Sequence, residues 1–225
     1  MERSDFQKNA FLEYEANAWF SRNKAVLSNY KKEDDKVISL LQSYSVKPAN
    51  VLEVGCSAGY RLDGIKNVFP QANVFGVEPS LSAIEFGRSH YKAVNFTHGT
   101  VDDMSVYENN QFDMVIVGFV FYVVDRNILL KAMAEIDRVL QDKGHLVIID
   151  FFTETTIKKK YHHIEDFSAY TYKQKYDELF SSTQLYHLID RSCYNHVSLQ
   201  TDAGVPFQDL FSVSLLKKDL YAAYQ

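Results

Sequence analysis

The sequence predicts an α/β protein: a doubly wound, mostly parallel seven-stranded sheet, preceded by N-terminal helices and closed by a C-terminal antiparallel hairpin. Three observations predict it. Between residues 50 and 150, short apolar runs alternate with amphipathic helical stretches. The runs are apolar at successive positions, so both faces of the sheet need helices over them. Beyond residue 183, two longer apolar-rich runs flank Gly204, Val205 and Pro206, which reads as a hairpin.

The elements follow in order. Residues 1–45 read as helical, with a break at the charge run Lys31–Lys36, expected to be a solvated turn. Val37, Ile38, Leu40 and Leu41 then form a short apolar helix face. Val51–Val54 is a buried strand that ends at Gly55. Residues 59–69 are a helix stopped by Pro70. Val74–Val77 is the second strand, and residues 80–90 are a helix with Ser80 as N-cap. Val94–Phe96 and Met114–Val117 are the third and fourth strands. Ile128, Leu129, Ala132, Met133, Ile136, Val139 and Leu140 recur at helical spacing, with Asp125 as the expected cap and Gly144 as the expected stop. Leu146–Ile149 is the fifth strand. Residues 151–182 show no clear period and read as irregular structure with a short helix. Residues 184–198 and 207–217 are the hairpin strands.

Composition narrows the function. Apolar residues at 46% and charged residues at 24% are ordinary globular values, so disorder is excluded as the main state. A net charge of −5 argues against a partner bound through its phosphate backbone. Two cysteines, Cys56 and Cys193, are too few for a disulfide framework or a structural zinc site, and a reducing cytoplasm is the expected setting. The charged opening stretch lacks the apolar core of a secretory signal, and no run of about 18 apolar residues is present to span a membrane. The expected partner is a small molecule, with no nucleic acid and no membrane; monomer and homodimer both stay open.

Ligands of such sheets lie at the carboxyl ends of the strands. Those ends carry Glu53 and Gly55, Glu78 and Pro79, Asp102, Gly118 and Phe119, and Asp150. The first turn runs Glu53, Val54, Gly55, Cys56, Ser57, Ala58, Gly59. A dinucleotide fingerprint aligned on Gly55 needs glycine at 57 and 60, where the chain has Ser57 and Tyr60, so a nicotinamide-dependent oxidoreductase is disfavoured. The carboxylate of Glu53 suits an ammonium or sulfonium ligand and repels pyrophosphate.

This turn resembles the first motif, E/D-x-G-x-G-x-G, of class I S-adenosylmethionine-dependent methyltransferases. The likeness continues through Val77–Ser80, Gly99–Asp102, Phe112–Val115 and Arg138–Leu146, and it covers about residues 48–150. It implies the Rossmann-like methyltransferase fold and S-adenosyl-L-methionine as cofactor. It places Glu53, Gly55, Cys56, Ser57, Gly59, Glu78, Pro79, Val101, Asp102, Gly118 and Phe119 around that cofactor, with Glu78 on the ribose hydroxyls and Asp102 on the adenine amino group. Ser57 departs from the motif's middle glycine; its hydroxyl is small and can bond the methionine carboxylate. The resemblance implies one methyltransferase domain over 1–225: a helical cap at 1–45, a cofactor core at 46–150, an acceptor-site insertion at 151–182 and a closing hairpin at 183–225.

The segments Asn17–Lys24, Tyr161–His163 and Tyr170–Lys173 are similar to a bacterial group often encoded among genes for surface sugars and small metabolites. That implies methyl transfer to a small polar, anionic or sugar-type acceptor, and a role in polysaccharide biosynthesis. A non-catalytic cofactor-binding partner subunit is the alternative. Transfer to a hydroxyl calls for a base. His162 and His163, whose imidazoles titrate near pH ~6.5, and Tyr172 are the candidate catalytic residues on the insertion. Tyr122, Tyr176 and Phe119 are candidate walls, Lys158–Lys160 a candidate anion holder, and Trp19, Phe20 and Arg22 a candidate lid whose arginine reaches the cofactor carboxylate. No metal ligand set is expected.

Overall fold

The computed structural model describes residues 6–164, 169–201 and 209–222. A seven-stranded sheet runs in the order β3-β2-β1-β4-β5-β9-β8. Its strands are β1 (Asn50–Val54), β2 (Asn73–Glu78), β3 (Val94–His98), β4 (Phe112–Gly118), β5 (Leu140–Phe152), β8 (Tyr186–Asn195) and β9 (Leu210–Lys218). The first five are parallel; β9 is antiparallel to both β5 and β8. The order reverses between β1 and β4, which opens a crevice at their carboxyl ends.

The apolar runs bury both faces. Val115 and Val117 of β4 pack with Ala132, Ile136 and Val139 of α6 (Leu129–Val139) and Tyr176 and Phe180 of α7 (Tyr176–Ser181). Met114 and Ile116 pack the other way, with Val37, Ile38 and Leu41 of α3 (Lys36–Ser43), Leu62 and Ile65 of α4 (Tyr60–Val68) and Ile84 of α5 (Leu81–His90). Successive residues of one strand thus serve opposite cores, as a strand's period of two requires. Among the described residues, no helix is long and apolar enough to cross a membrane.

Several local expectations meet their geometry. Ser80 Oγ accepts from Ala83 N at 3.1 Å and caps α5. The charge run is not all solvated: Asp35 is buried, and its Oδ1 caps α3 by accepting from Val37 N and Ile38 N. Asp125 accepts from Asn127 N, two residues short of α6, and does not cap it. Gly144 does not stop α6 either. The helix ends at Val139, and the chain enters β5 at once, because Leu140 pairs with Phe112.

Two regions differ more. The N-terminal helix is interrupted: α1 (Phe6–Ala10) passes through a π-helical turn (Phe11–Glu15) into α2 (Ala16–Leu27). Residues 151–182 are more regular than expected. β5 continues to Phe152, and β6 (Ile157–Lys160) pairs antiparallel with β7 (Tyr170–Lys173). The connecting turn expected at Gly204–Pro206 lies outside the described residues.

Candidate cofactor and acceptor cavity

A cavity of about 490 Å³ opens at the carboxyl ends of β1, β2 and β4, a volume ordinary for a small-molecule site. Every residue expected to touch the cofactor lines it except Gly59. The turn after β1 explains the shape. Gly55 has φ +74° and Gly59 φ +82°, both left-handed, and a Cβ on Gly55 would collide with the Val120 side chain. Gly59 sits behind the wall. A Cβ there would come within 2.7 Å of Phe96, so its role is to turn the chain into α4 against that ring. Ser57 adopts φ +49°, a left-handed conformation that costs a non-glycine residue about 1–2 kcal/mol. Its backbone N–H is held by Glu78 Oε2 at 2.8 Å. The departure from glycine is thus accommodated without closing the cavity.

Three buried carboxylates face this space, 2–7% exposed, and the half-buried Asp125 also lines it. Glu78 accepts from Ser57 N and from Ser80 N, the latter at 2.9 Å. Burial pushes it up to about 7, against the pull of those two N–H groups. Asp102 behaves oppositely. Burial opposes its ionisation, but hydrogen bonds from Lys8 and Thr100 outweigh that and hold it below its ordinary value. Glu53 is not the bare carboxylate that its position implied. One oxygen pairs with Arg61 Nη1, and Arg61 Nε bonds Asp35 Oδ2 at 2.9 Å. Burial still raises Glu53, with Arg61 opposing.

The fit to a cofactor can be tested on polar atoms that lack partners. Among the described residues, Tyr30 Oη, Glu53 Oε2, Ser57 Oγ and Tyr60 Oη are buried without a hydrogen bond, and all four residues line the cavity. Buried polar atoms are rarely left unpaired without a ligand or water to meet them. One anionic acceptor beside three hydroxyls and the Arg61 guanidinium suits a ligand end that carries both an ammonium and a carboxylate. Each oxygen of Glu78 accepts one bond and keeps capacity for a hydroxyl donor.

The expected catalytic trio is not brought here. His162 and His163 are exposed and line no part of the cavity, because the hairpin β6–β7 docks its buried Tyr161, with Ile164 and Ala169, against Ala10 of α1 and leaves both imidazoles outside. Tyr172 also stays off the wall: the Arg126 guanidinium lies over its ring at 3.7 Å. Lys158 sits 3.8 Å over the Tyr170 ring, away from the cavity wall. Among the described residues of 151–182, only Phe151 reaches the cavity. The cover comes instead from the N-terminal helix, through Gln7, Lys8, Phe11, Ala16, Trp19 and Asn23.

Trp19 therefore does face the cavity, whereas Phe20 packs on Ala58, Tyr60 and Ala83. Arg22 does not reach a ligand; it pairs with the buried Glu15 at 2.6 Å, which also accepts from Tyr161 Oη. The roof is fastened by Lys8 to Asp102, by Gln7 to Val123 O and to Tyr170, and by Asn17 to Ser80 and Ser82. The sequence reading missed Lys8, Arg61 and His196 on the wall. Arg61 had a usable signal: it is the second residue of α4, two positions after the last glycine of the loop. Lys8 and His196 had none, since only tertiary packing brings them in.

Known proteins share these features. The methyltransferase domain family matches residues 52–148. Malonyl-[acyl-carrier protein] O-methyltransferase of Acetivibrio thermocellus is 26% identical over 106 residues, which is 45% of this chain and 38% of that protein. The chain thus spans well under half the length of that curated relative. Two solved structures share the fold. The Burkholderia thailandensis 1,6-didemethyltoxoflavin N1-methyltransferase, with bound 1,6-didemethyltoxoflavin and S-adenosylhomocysteine, superposes with TM-score 0.69 at 14% identity, over 97% of this chain and 92% of that one. The putative methyltransferase of Haloferax volcanii, in complex with the Trm112 methyltransferase activator, gives 0.68 at 16%, over 92% and 97%. Residues 52–148, which carry the glycine loop and the three buried acids of the cavity, match the methyltransferase domain family, and the chain shares the fold of both solved structures.

Proposed function

We propose that the whole chain acts as one S-adenosylmethionine-dependent methyltransferase domain that modifies a small molecule. The observation that carries this is the set of unpartnered buried atoms, Tyr30 Oη, Glu53 Oε2, Ser57 Oγ and Tyr60 Oη, on the wall of a cavity that Glu78 and Asp102 also face. When bound, the cofactor supplies a methyl group already activated by its sulfonium centre. Glu53 holds the amino group, and Ser57, Tyr60 and Arg61 hold the carboxylate. Glu78 orients the ribose and Asp102 the adenine amino group. The chain's own contribution is alignment inside a closed space, and positioning of this kind contributes about 7–11 kcal/mol to such displacements.

The polar, anionic or sugar-type acceptor expected from sequence rested on a resemblance to a bacterial group and on the Tyr, His and Lys residues of 151–182. Among the described residues that segment supplies only Phe151 to the wall, which removes the second of these supports. Isothermal calorimetry with S-adenosylmethionine, S-adenosylhomocysteine and NADH tests the cofactor reading. Micromolar binding of the two sulfur nucleosides and none of NADH is expected; the reverse pattern would overturn it.

A further inference from the structure

The sheet order fixes what lies at each end of the cavity. Glu78 ends β2 and Asp102 follows β3 on one side of β1, whereas Phe119 follows β4, Phe151 lies at the end of β5 and His196 follows β8 on the other. We propose that this second end is the acceptor site, that it takes a flat aromatic or heteroaromatic molecule bearing an ionisable O–H or N–H, and that His196 is the base that receives that proton. The inference rests on the cofactor reading above.

The wall there is a set of rings meeting at angles. Phe119 and Phe151 have centroids 5.3 Å apart, Tyr122 and Phe151 4.9 Å, and Phe151 and His196 4.9 Å. Phe119 holds its place through a left-handed backbone, φ +52°, and its N–H donates to Ile149 O at 2.8 Å. Strain of that kind persists where surrounding structure imposes it, and it gathers at binding sites. From above, Phe11 and Trp19 of the roof add two more ring systems. Ring faces and edges of this sort reward a flat π-system by offset and edge-on packing. Of the four ring side chains at this end, only Tyr122 and His196 carry a polar group. A polyol would lay several hydroxyls against carbon and leave them unpaired.

His196 has the chemistry for the proton. Its backbone N–H donates to Asp209 O at 2.9 Å, which anchors the residue after β8. Desolvation on its cage side and the Lys173 ammonium push its imidazole below the ordinary value, with Asp209 opposing, which favours the neutral ring and its lone pair at neutral pH. In the transfer, a lone pair on the acceptor oxygen or nitrogen forms the bond to the methyl carbon. The carbon–sulfur bond breaks with its electron pair left on sulfur. The acceptor's proton passes to His196 and from there to solvent.

The test uses the full chain saturated with S-adenosylhomocysteine, titrated with para-nitrophenol and naphthol, and separately with UDP-glucose and malonate. Trp19, the chain's one tryptophan, reports by fluorescence, and the His196 imidazole reports by NMR, assigned by its loss in His196→Gln. The aromatic probes should quench Trp19 saturably and shift the His196 signal. Phe151→Leu, which keeps most of the volume, should weaken them at least tenfold and leave S-adenosylhomocysteine affinity within twofold. With labelled cofactor, His196→Gln should slow transfer to naphthol, which is un-ionised at pH 7, about 100-fold, in the range of a lost general base, and recover as naphthol ionises at higher pH. The proposal is overturned if UDP-glucose or malonate produces these signals and the aromatics do not, if no aromatic probe binds, or if His196→Gln transfers at the wild-type rate. A protein that fails to bind S-adenosylhomocysteine refutes the cofactor reading instead.

Discussion

At the β1–β3 end of the cavity the wall is buried charge. Glu53 and Asp102 are each 2% exposed, and each is locked by a cation from a different element, Arg61 of α4 and Lys8 of α1. At the β4–β8 end the wall is aromatic rings and one exposed imidazole, with no carboxylate locked in place among the ring residues. The first end fixes a ligand by directed hydrogen bonds, and those same bonds help hold the loop, the helix α3 and the roof together. The second end packs against whatever lies in it. The charged end therefore ties recognition to fold stability, and the aromatic end leaves the acceptor free to vary without endangering the fold.

The largest effect that tests this difference is Arg61→Gln. It strips the cation from Glu53 and from Asp35, whose side chain also caps α3. Removing one partner of a buried pair costs about 3–5 kcal/mol. Urea denaturation should show a loss in that range. A loss below about 1 kcal/mol would mean that the acids simply take up protons and that the charged end is no lock.

Gly55→Ala comes next. The new Cβ would meet the Val120 side chain, and the residue would hold φ +74° without glycine's freedom. Left-handed strain of about 1–2 kcal/mol and overpacking of about 1–3 kcal/mol act together. Both a lower urea midpoint and weaker S-adenosylhomocysteine binding are expected. Normal stability would show that Val120 moves aside, making that stretch of wall as yielding as the aromatic end.

Glu78 offers a pH test. Burial raises it to about 7 in the folded chain. A raised acid contributes stability that is present below the unfolded value and is lost as pH rises through the folded one, here about 7. A ligand whose hydroxyls need the ionised form binds against that preference. Its affinity should fall as pH drops below 7, by up to tenfold or about 1.4 kcal/mol per unit. Asp102 is held below its ordinary value and stays ionised throughout, while Glu53 is also raised, so the variant isolates the effect. Glu78→Gln should flatten the profile, and Glu78→Ala should weaken binding by about 1.5–3 kcal/mol at neutral pH. A flat wild-type profile between pH 5.5 and 8, read as an approximate window, would remove Glu78 from the ribose.

The same contrast explains what the sequence could reveal. Val51–Val54, Val74–Val77, Met114–Val117 and Leu146–Ile149 are strands because each is apolar on both faces, a signal contained in four consecutive residues. The charged end lies within a few residues of those strands' ends, so Glu53, Glu78 and Asp102 were readable with them. His196 is joined to Phe119 and Phe151 only through strand order. No local pattern places β9 between β5 and β8, and no local pattern swings α1 over the cavity. The cluster of Tyr161, His162 and His163 misled for a related reason. Tyr161 is the residue with a tertiary partner, Glu15, and its neighbours are left facing out. Asp35 was concealed by composition: five of six residues in its run are charged surface or half-exposed, and the sixth is buried.

The smallest effect is the most diagnostic of the aromatic end. His196 is exposed, and the bond that fixes it, from its N–H to Asp209 O, belongs to the backbone. Its ring touches the cage from one side, 4.9 Å from Phe151 and 6.3 Å from Phe119. His196→Gln retains the backbone bond and removes only ring contact, so unfolding free energy should change by no more than about 0.5 kcal/mol, the scale of ordinary surface substitutions. Urea melts of both proteins at one pH settle it. A loss above about 2 kcal/mol, beyond the usual surface range, would mean that the imidazole is part of the core's cohesion. The two ends of the cavity would then be locked alike, and an acceptor could not be exchanged at one of them without cost to the fold.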